Sequence, residues 1–370
     1  MKKYHRLRKL DRGLFPLILV IIAVLAIIVI GAIIIFDKAP FDTFQQIPPT
    51  QTKIAPPDIQ VSNPLYGKVF YRDDTGVINT KVRELEKAGN KTDAELLKKV
   101  SAEPGVTWLT GPLYSDPLAS HDIEEVKRTS KAASDQGTIP IYQLYAIPIR
   151  DACASHSKGG FTNSAAYLAW IDKIIANLET PAVISIEADA IAHTLNPGCL
   201  TDSQIGQRYA LLNEVTLKFK ASPKVLAAYL DAGHSDWWPN PSVLVDPLRK
   251  SGINNIRGVA VNVSFFAETS SITVWAQQLV KELDADKGVI IDTSRNGKGI
   301  APVKGDRRWC NPEQRGIGPK PGTMINSASI DAFVWIKNIG ESDGTCGGYP
   351  PAGTFVTSIA LELARNAITE

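Results

Sequence analysis

The 370-residue chain is 44% hydrophobic and 21% charged, ordinary globular composition that excludes wholesale disorder and a fibrous repeat. Its net charge of +2 hides an uneven distribution: residues 1–13 carry Lys2, Lys3, Arg6, Arg8, Lys9 and Arg12 against Asp11, which leaves the remainder mildly acidic. A body of that sign has no electrostatic footprint for nucleic acid.

The first element is an uncharged stretch over 14–36, dense in Ile, Leu and Val. As a helix it would be about 30 Å long or slightly more, enough for the hydrocarbon core of a bilayer. It is too long for an ordinary signal-peptide core, and no small-residue cleavage site follows it. The basic flank before it and Asp37 after it orient the N-terminus (1–13) toward the cytoplasm and the rest of the chain outward. A signal sequence that is eventually clipped is the alternative, and it exports the chain equally. Pro40, Pro48, Pro49, Pro56 and Pro57 then punctuate a stretch without helical or strand period, 37–62, which reads as a semi-extended linker. One domain fills the remainder, 63–370.

Within that domain, apolar β-branched runs over 106–110, 139–148, 183–187, 225–230, 257–263, 288–291 and 332–336 alternate with amphipathic stretches. Ile205, Tyr209, Leu212, Val215 and Phe219 recur at helical spacing. So do Ile171, Ile174, Ile175 and Leu178, after a cap at Asn163 or Ser164, and Ile272, Trp275, Leu279 and Leu283. About seven strands alternating with helices predict a parallel α/β barrel. Cys153, Cys199, Cys310 and Cys346 form an even set without a Cys-x-x-Cys pair, so two disulfides in an oxidising compartment are expected over a metal site. Spacing leaves three pairings open.

Polar residues gather where the strands end. The runs lead into Arg150-Asp151, Glu187-Ala188-Asp189, Asp231-Ala232-Gly233-His234, Asp292-Thr293-Ser294-Arg295 and Lys337 with Glu341-Ser342-Asp343. In parallel α/β folds these ends form the active-site rim, so five strands are expected to bring carboxylates to one mouth, where crowding keeps one of them protonated. Trp108, Trp237, Trp238 and Trp309 sit in or beside the same loops. Carboxylate pairs with aromatic rings suit a sugar polymer, whose apolar faces stack on the rings while two carboxyls flank the bond to be cut. There is no Gly-x-Ser-x-Gly elbow, no P-loop and no Gly-x-Gly-x-x-Gly, and the five histidines show no metal spacing. No cofactor or metal is expected. His234, beside Asp231, is read as a hydrogen-bonding wall of the site.

Six segments, in order, carry a resemblance. They are Tyr145-Ala146-Ile147-Pro148-Ile149-Arg150-Asp151; Ile186-Glu187-Ala188-Asp189; Tyr229-Leu230-Asp231-Ala232-Gly233-His234; Ile291-Asp292-Thr293-Ser294-Arg295-Asn296-Gly297; Trp309-Cys310-Asn311; and Trp335-Ile336-Lys337 running to Glu341-Ser342-Asp343-Gly344. Over roughly 63–367 the chain resembles glycoside hydrolase family 6, the inverting cellulases. The resemblance implies a distorted seven-stranded parallel barrel that hydrolyses β-1,4-glucan with inversion; a monomer is expected. It implies Asp189 as general acid, Asp151 as the neighbour that raises its pKa, and Tyr145 and Arg150 in the same cluster. Asp343 stands at the position proposed for the base, with a water relay through Ser157 and Asp151 as the competing scheme. Trp108, Asp231, His234, Trp237, Trp309, Lys337 and Glu341 are expected to hold substrate, and the implied disulfides are Cys153–Cys199 and Cys310–Cys346.

Three departures stand out: Ala188 where the family has Pro, Ala152 inserted before Cys153, and the tandem Trp237-Trp238. Only Gly344 and Thr345 separate Asp343 from Cys346, and the Asp151 loop is compact, so an open groove and internal attack are expected. A cellobiohydrolase and a glucan-binding protein without turnover are the alternatives.

Overall fold

The computed structural model describes residues 63–368 except 154–155, 285, 325–326 and 328. The basic N-terminus, the apolar span 14–36 and the linker 37–62 lie outside those residues. Among the described residues no helix is long and apolar enough to cross a membrane.

Two helices, α1 (Val77–Lys87) and α2 (Lys91–Ser101), precede the sheet. Seven parallel strands follow: β1 (Thr107–Leu109), β2 (Ile141–Leu144), β3 (Ala182–Ile186), β4 (Val225–Asp231), β5 (Gly258–Val261), β6 (Gly288–Asp292) and β8 (Ile330–Val334). A two-residue strand, β7 (Gly322–Thr323), pairs antiparallel with β8 at the edge, so the order is β1-β2-β3-β4-β5-β6-β8-β7. The connections carry α3 (Ser120–Gln136), α4 (Ser164–Ala176), α5 (Ala192–Leu195), α6 (Asp202–Ala221), α7 (Val245–Lys250) and α8 (Thr269–Leu283), and α9 (Thr357–Arg365) follows the sheet. All seven expected strands are present, each within one or two residues at its C-terminal end except β2, which stops at Leu144 where the apolar run continues to Pro148.

The continuous apolar runs follow from burial on both faces. Val183, Ala227, Tyr229, Ala260, Ile290 and Ala332 pack together inside the curl. Their neighbours Ile184, Ala228, Leu230, Val259, Val289 and Ile291 pack outward against the helices. The helix starts are also local chemistry. Asn163 caps α4, its Oδ1 accepting from the Ala166 N–H at 2.9 Å. Thr201 and Gln204 form a reciprocal capping box on α6.

The sheet curls without closing by backbone hydrogen bonds: β1 forms one edge and β7 the other. Near the C-terminal end of the seam a side chain spans it, the Trp108 indole N–H donating to the Ile336 carbonyl at 2.7 Å. Toward the N-terminal ends of the strands, Arg257 pairs with Asp331 through two bonds of 2.7 Å, and the Tyr229 hydroxyl donates to the same carboxylate at 2.8 Å. Gly288 leaves room for this cluster, since a Cβ there would lie 2.0 Å from Asp331 Oδ2.

Because the buried Asp331 holds the partly buried Arg257 guanidinium and the Tyr229 hydroxyl, Asp331→Ala is expected to cost about 1–3 kcal/mol, read as a lowered midpoint in urea unfolding. An unchanged midpoint would show that Arg257 finds water instead.

Candidate active site

One cavity of about 1110 Å³ opens at the C-terminal ends of the strands. Of the thirteen catalytic and substrate residues expected from sequence, eleven line it: Trp108, Tyr145, Arg150, Ser157, Asp189, His234, Trp237, Trp309, Lys337, Glu341 and Asp343. The other two, Asp151 and Asp231, are buried directly behind the lining.

Asp189 follows β3 in left-handed backbone (φ 66°), as do Glu187 before it (φ 53°) and, across the site, Ile149 and Asp151 (φ 59° and 52°). Such a conformation is uncommon for residues with a side chain, least so for Asp and most of all for β-branched Ile149. Buried contacts hold these segments. Glu187 accepts from the N–H groups of Ala146 and Ile147 and from the Tyr167 hydroxyl at 2.8 Å. The buried Arg208 donates to the carbonyls of Pro148, Ile149 and Ala190. The Cys153–Cys199 disulfide ties the Asp151 loop to the segment before α6, and Cys310–Cys346 joins the other two rim loops, the pairings that the resemblance implies.

Burial and the nearby Asp151 carboxylate push the Asp189 carboxyl up to about 7. Asp231 lies beneath it, its Oδ1 accepting from the Asp189 and Gly233 N–H groups at 3.0 and 3.1 Å. Burial and then the neighbouring Asp189 raise Asp231 well above the usual carboxylate range. Asp151 Oδ2 accepts from the Ser157 N–H at 2.6 Å and faces Ser157 Oγ at 3.2 Å, while Ser157 Oγ lies 2.9 Å from the Tyr145 hydroxyl. The Arg150 guanidinium is 4.8 Å from the centre of the Tyr145 ring and donates to the Tyr145 carbonyl, fixing ring and loop together.

Asp343 has a different environment. Arg295 Nη1 bonds both its oxygens at 2.9 Å, the Asn311 N–H adds a third bond at 3.0 Å, and Lys337 Nζ stands 3.9 Å away. Arg295 and Asn311 fall inside segments singled out from the sequence, yet nothing in the sequence says that they hold Asp343. His193, on α5 one turn past Asp189, lines the cavity and was missed by the sequence reading. Its ring meets Trp237 edge-on at 5.6 Å. His234 is sandwiched between Phe265 and Trp237, and its Nδ1 accepts from the Trp237 N–H. Burial lowers His193 to about 4 and His234 to about 3, so both rings are neutral walls of the cavity.

The expectation that all five strand ends aim carboxylates into the mouth needs correction. Glu187 serves the backbone as described above. Asp292 likewise accepts four backbone N–H groups, from Ser264, Ser294, Ile336 and Lys337, at 2.9–3.2 Å. Both are turned toward orphaned amides at the strand ends, which is where a buried carboxylate finds most hydrogen bonds. Trp238 is also structural: it packs on the outer core, and its carbonyl accepts from the Trp275 indole. Among the described residues no group of three or more His, Cys, Asp or Glu is placed to hold a metal ion.

Asp189 binds a proton in the folded protein that the unfolded chain releases near 3.8, so folding stability falls as pH rises from about 4 to about 7. Asp189→Asn should therefore raise the melting temperature at pH 8, with the gain shrinking to nothing below about pH 4. A gain that is the same at both pH values would mean that the carboxyl titrates normally.

Residues 65–367 match the family model described as Glycosyl hydrolases family 6. Endoglucanase A of Cellulomonas fimi is 35% identical over 302 residues, covering 80% of this chain and 61% of its own length. Endoglucanase A of Thermobispora bispora is 40% identical over 261 residues, 70% of this chain and 55% of its own. The chain thus spans somewhat over half the length of these two relatives. Among solved structures, the endoglucanase Cel6 from Mycobacterium tuberculosis, in complex with methyl-cellobiosyl-4-deoxy-4-thio-β-D-cellobioside, superposes with a TM-score of 0.73 at 36% identity. That match covers 82% of this chain and 99% of the other. With its motifs gathered in one cleft and this match over most of its length, the chain belongs to glycosyl hydrolase family 6.

Proposed function

We propose that the protein is an inverting endo-β-1,4-glucanase that cuts cellulose-type chains outside the cell, held at the membrane by the apolar span 14–36. The observation that carries the chemistry is Asp189: a carboxyl at the floor of a sugar-sized cleft, kept protonated near neutrality by burial and by Asp151. A protonated carboxyl there can hand its proton to the leaving glycosidic oxygen. The exported location is supported by the basic flank of 14–36 and by the two disulfides, which persist in oxidising compartments.

In this reading Asp151 stabilises the positive charge that develops on the sugar, and Tyr145 supports the distorted ring. Inversion also needs a water on the opposite face and a group to take its proton. Asp343 has its lone pairs largely engaged by Arg295 and Asn311, which leaves little of the carboxylate free to face that water. Ser157 lines the cleft with its hydroxyl against Asp151 and is better disposed to pass the water's proton to that carboxylate. Trp108, Trp237 and Trp309 supply flat apolar surface for the sugar faces, and Lys337 with Glu341 supplies charged hydrogen bonds.

Internal attack is supported by the short Asp343 loop and by the endoglucanase relatives. One contact favours a second reading. The two rims approach closely where Gly344 faces His156, a Cβ on Gly344 lying 2.7 Å from His156 Nδ1. A roof at that point would favour cellobiohydrolase action, and cellobiose as sole product with slow viscosity loss would establish it.

The direct test uses carboxymethylcellulose. Rapid loss of viscosity is expected, with rates declining as pH rises through about 7, where Asp189 gives up its proton. Asp189→Ala is expected to lower kcat by about 10²–10⁴-fold on a substrate with an ordinary leaving group. Full activity in that variant would remove Asp189 from the mechanism.

A further inference from the structure

Past Trp108 the cleft runs on over the free edge of β1, where it is lined by Thr110 and Leu113 from the loop that follows that strand and by Val77 and Ile78 from α1. The loop, 112–118, is unusual in what it shows to solvent. Tyr114 is 107% exposed, Leu118 67% and Leu113 48%, three of the large hydrophobic side chains that the described residues leave open, gathered within six positions. An apolar group of that kind beside a cleft marks an interaction surface.

The loop is held at both ends. The Asp122 carboxylate accepts from the Thr110 and Gly111 N–H groups, fixing the exit from β1. Gly111 has φ 77°, and a Cβ there would lie 2.6 Å from that of Ala146, so the backbone turns sharply outward at this residue. Leu113 and Asp116 exchange backbone hydrogen bonds of 3.0 Å in each direction, closing a tight turn with Tyr114 at its tip. The Asp116 carboxylate then accepts from the His121 N–H and lies 2.8 Å from His121 Nδ1, anchoring the turn to α3. A turn fixed in this way has little backbone freedom to lose when the side chain at its tip stacks on a ligand.

From this placement we infer that the 112–118 loop is a sugar-binding rim, on which Tyr114, flanked by Leu113 and Leu118, stacks a glucan chain as it extends from the Trp108 end of the cleft. The inference rests on the glucanase reading for the identity of the polymer. Continuity argues for that occupant: Leu113 is at once a wall of the cleft and part of the exposed group.

Retardation of the full chain carrying Asp189→Ala in native gels containing hydroxyethylcellulose reads binding with turnover suppressed. Tyr114→Ala is expected to weaken retardation about three- to tenfold, the worth of one aromatic contact. Tyr114→Phe, which keeps the ring, should preserve it, and the double variant Leu113→Ser, Leu118→Ser should weaken it further. Val274→Ser, an exposed apolar position on α8, serves as control and should leave it as it is. The ratio of kcat/KM on carboxymethylcellulose to that on a short aryl cello-oligosaccharide should fall in Tyr114→Ala. Equal loss on both substrates, or retardation untouched by Tyr114→Ala and by the double variant, overturns the rim. Dimerisation in sedimentation runs that Tyr114→Ala abolishes, with retardation intact, assigns the surface to a second copy and overturns it too. A wild-type chain that is retarded but releases no reducing ends overturns the hydrolytic reading alone. One that is neither retarded nor active overturns both.

Discussion

A parallel sheet that stops leaves amide donors without partners at every strand end, and in this protein buried carboxylates take them up. Asp292 gathers four such N–H groups from three separate segments, Glu187 gathers those of Ala146 and Ile147, and Asp122 those of Thr110 and Gly111. The loops at the mouth are thereby fixed in backbone conformations that L-residues otherwise avoid, including those of Asp151 and Asp189. The geometry of the cleft is the product of this frame, since a carboxyl must be held immobile before burial can act on its ionisation.

Within the frame, the acidic groups divide by what surrounds them. Asp189 and Asp231 lie deep and close to one another, and burial raises both. Asp343 sits against a guanidinium and an ammonium. Chemically identical side chains thus meet opposite surroundings a few residues past the strand ends, Asp189 pressed by burial and a second carboxylate, Asp343 paired with cations.

The strands were legible because burial on both faces writes an uninterrupted apolar run, and the disulfide pairing followed from the resemblance. The helices α4, α6 and α8 were legible from period and cap. Less could be read where the signal is carried by contacts distant in sequence. β7 has two residues, one of them glycine, and no pattern of its own. Glu187 and Asp292 looked the same as Asp189 on paper, because sequence does not say whether a carboxylate faces a cavity or an amide. Arg295 and Asn311 lie in quoted segments, but their grip on Asp343 spans 48 and 32 positions and depends on the curl of the sheet. His193 carries no motif; its place one turn beyond the acid was the available hint.

Trp108 has two employers. Its ring lines the cleft, and its indole nitrogen ties β1 to the Ile336 carbonyl across the seam that the sheet leaves open. Phenylalanine or tyrosine could offer a face to sugar, but neither can reproduce that N–H tie. Substitution at this position would therefore loosen the wall as it reshapes it, and should be better tolerated at Trp237 or Trp309, whose rings make no hydrogen bond to backbone among the described residues.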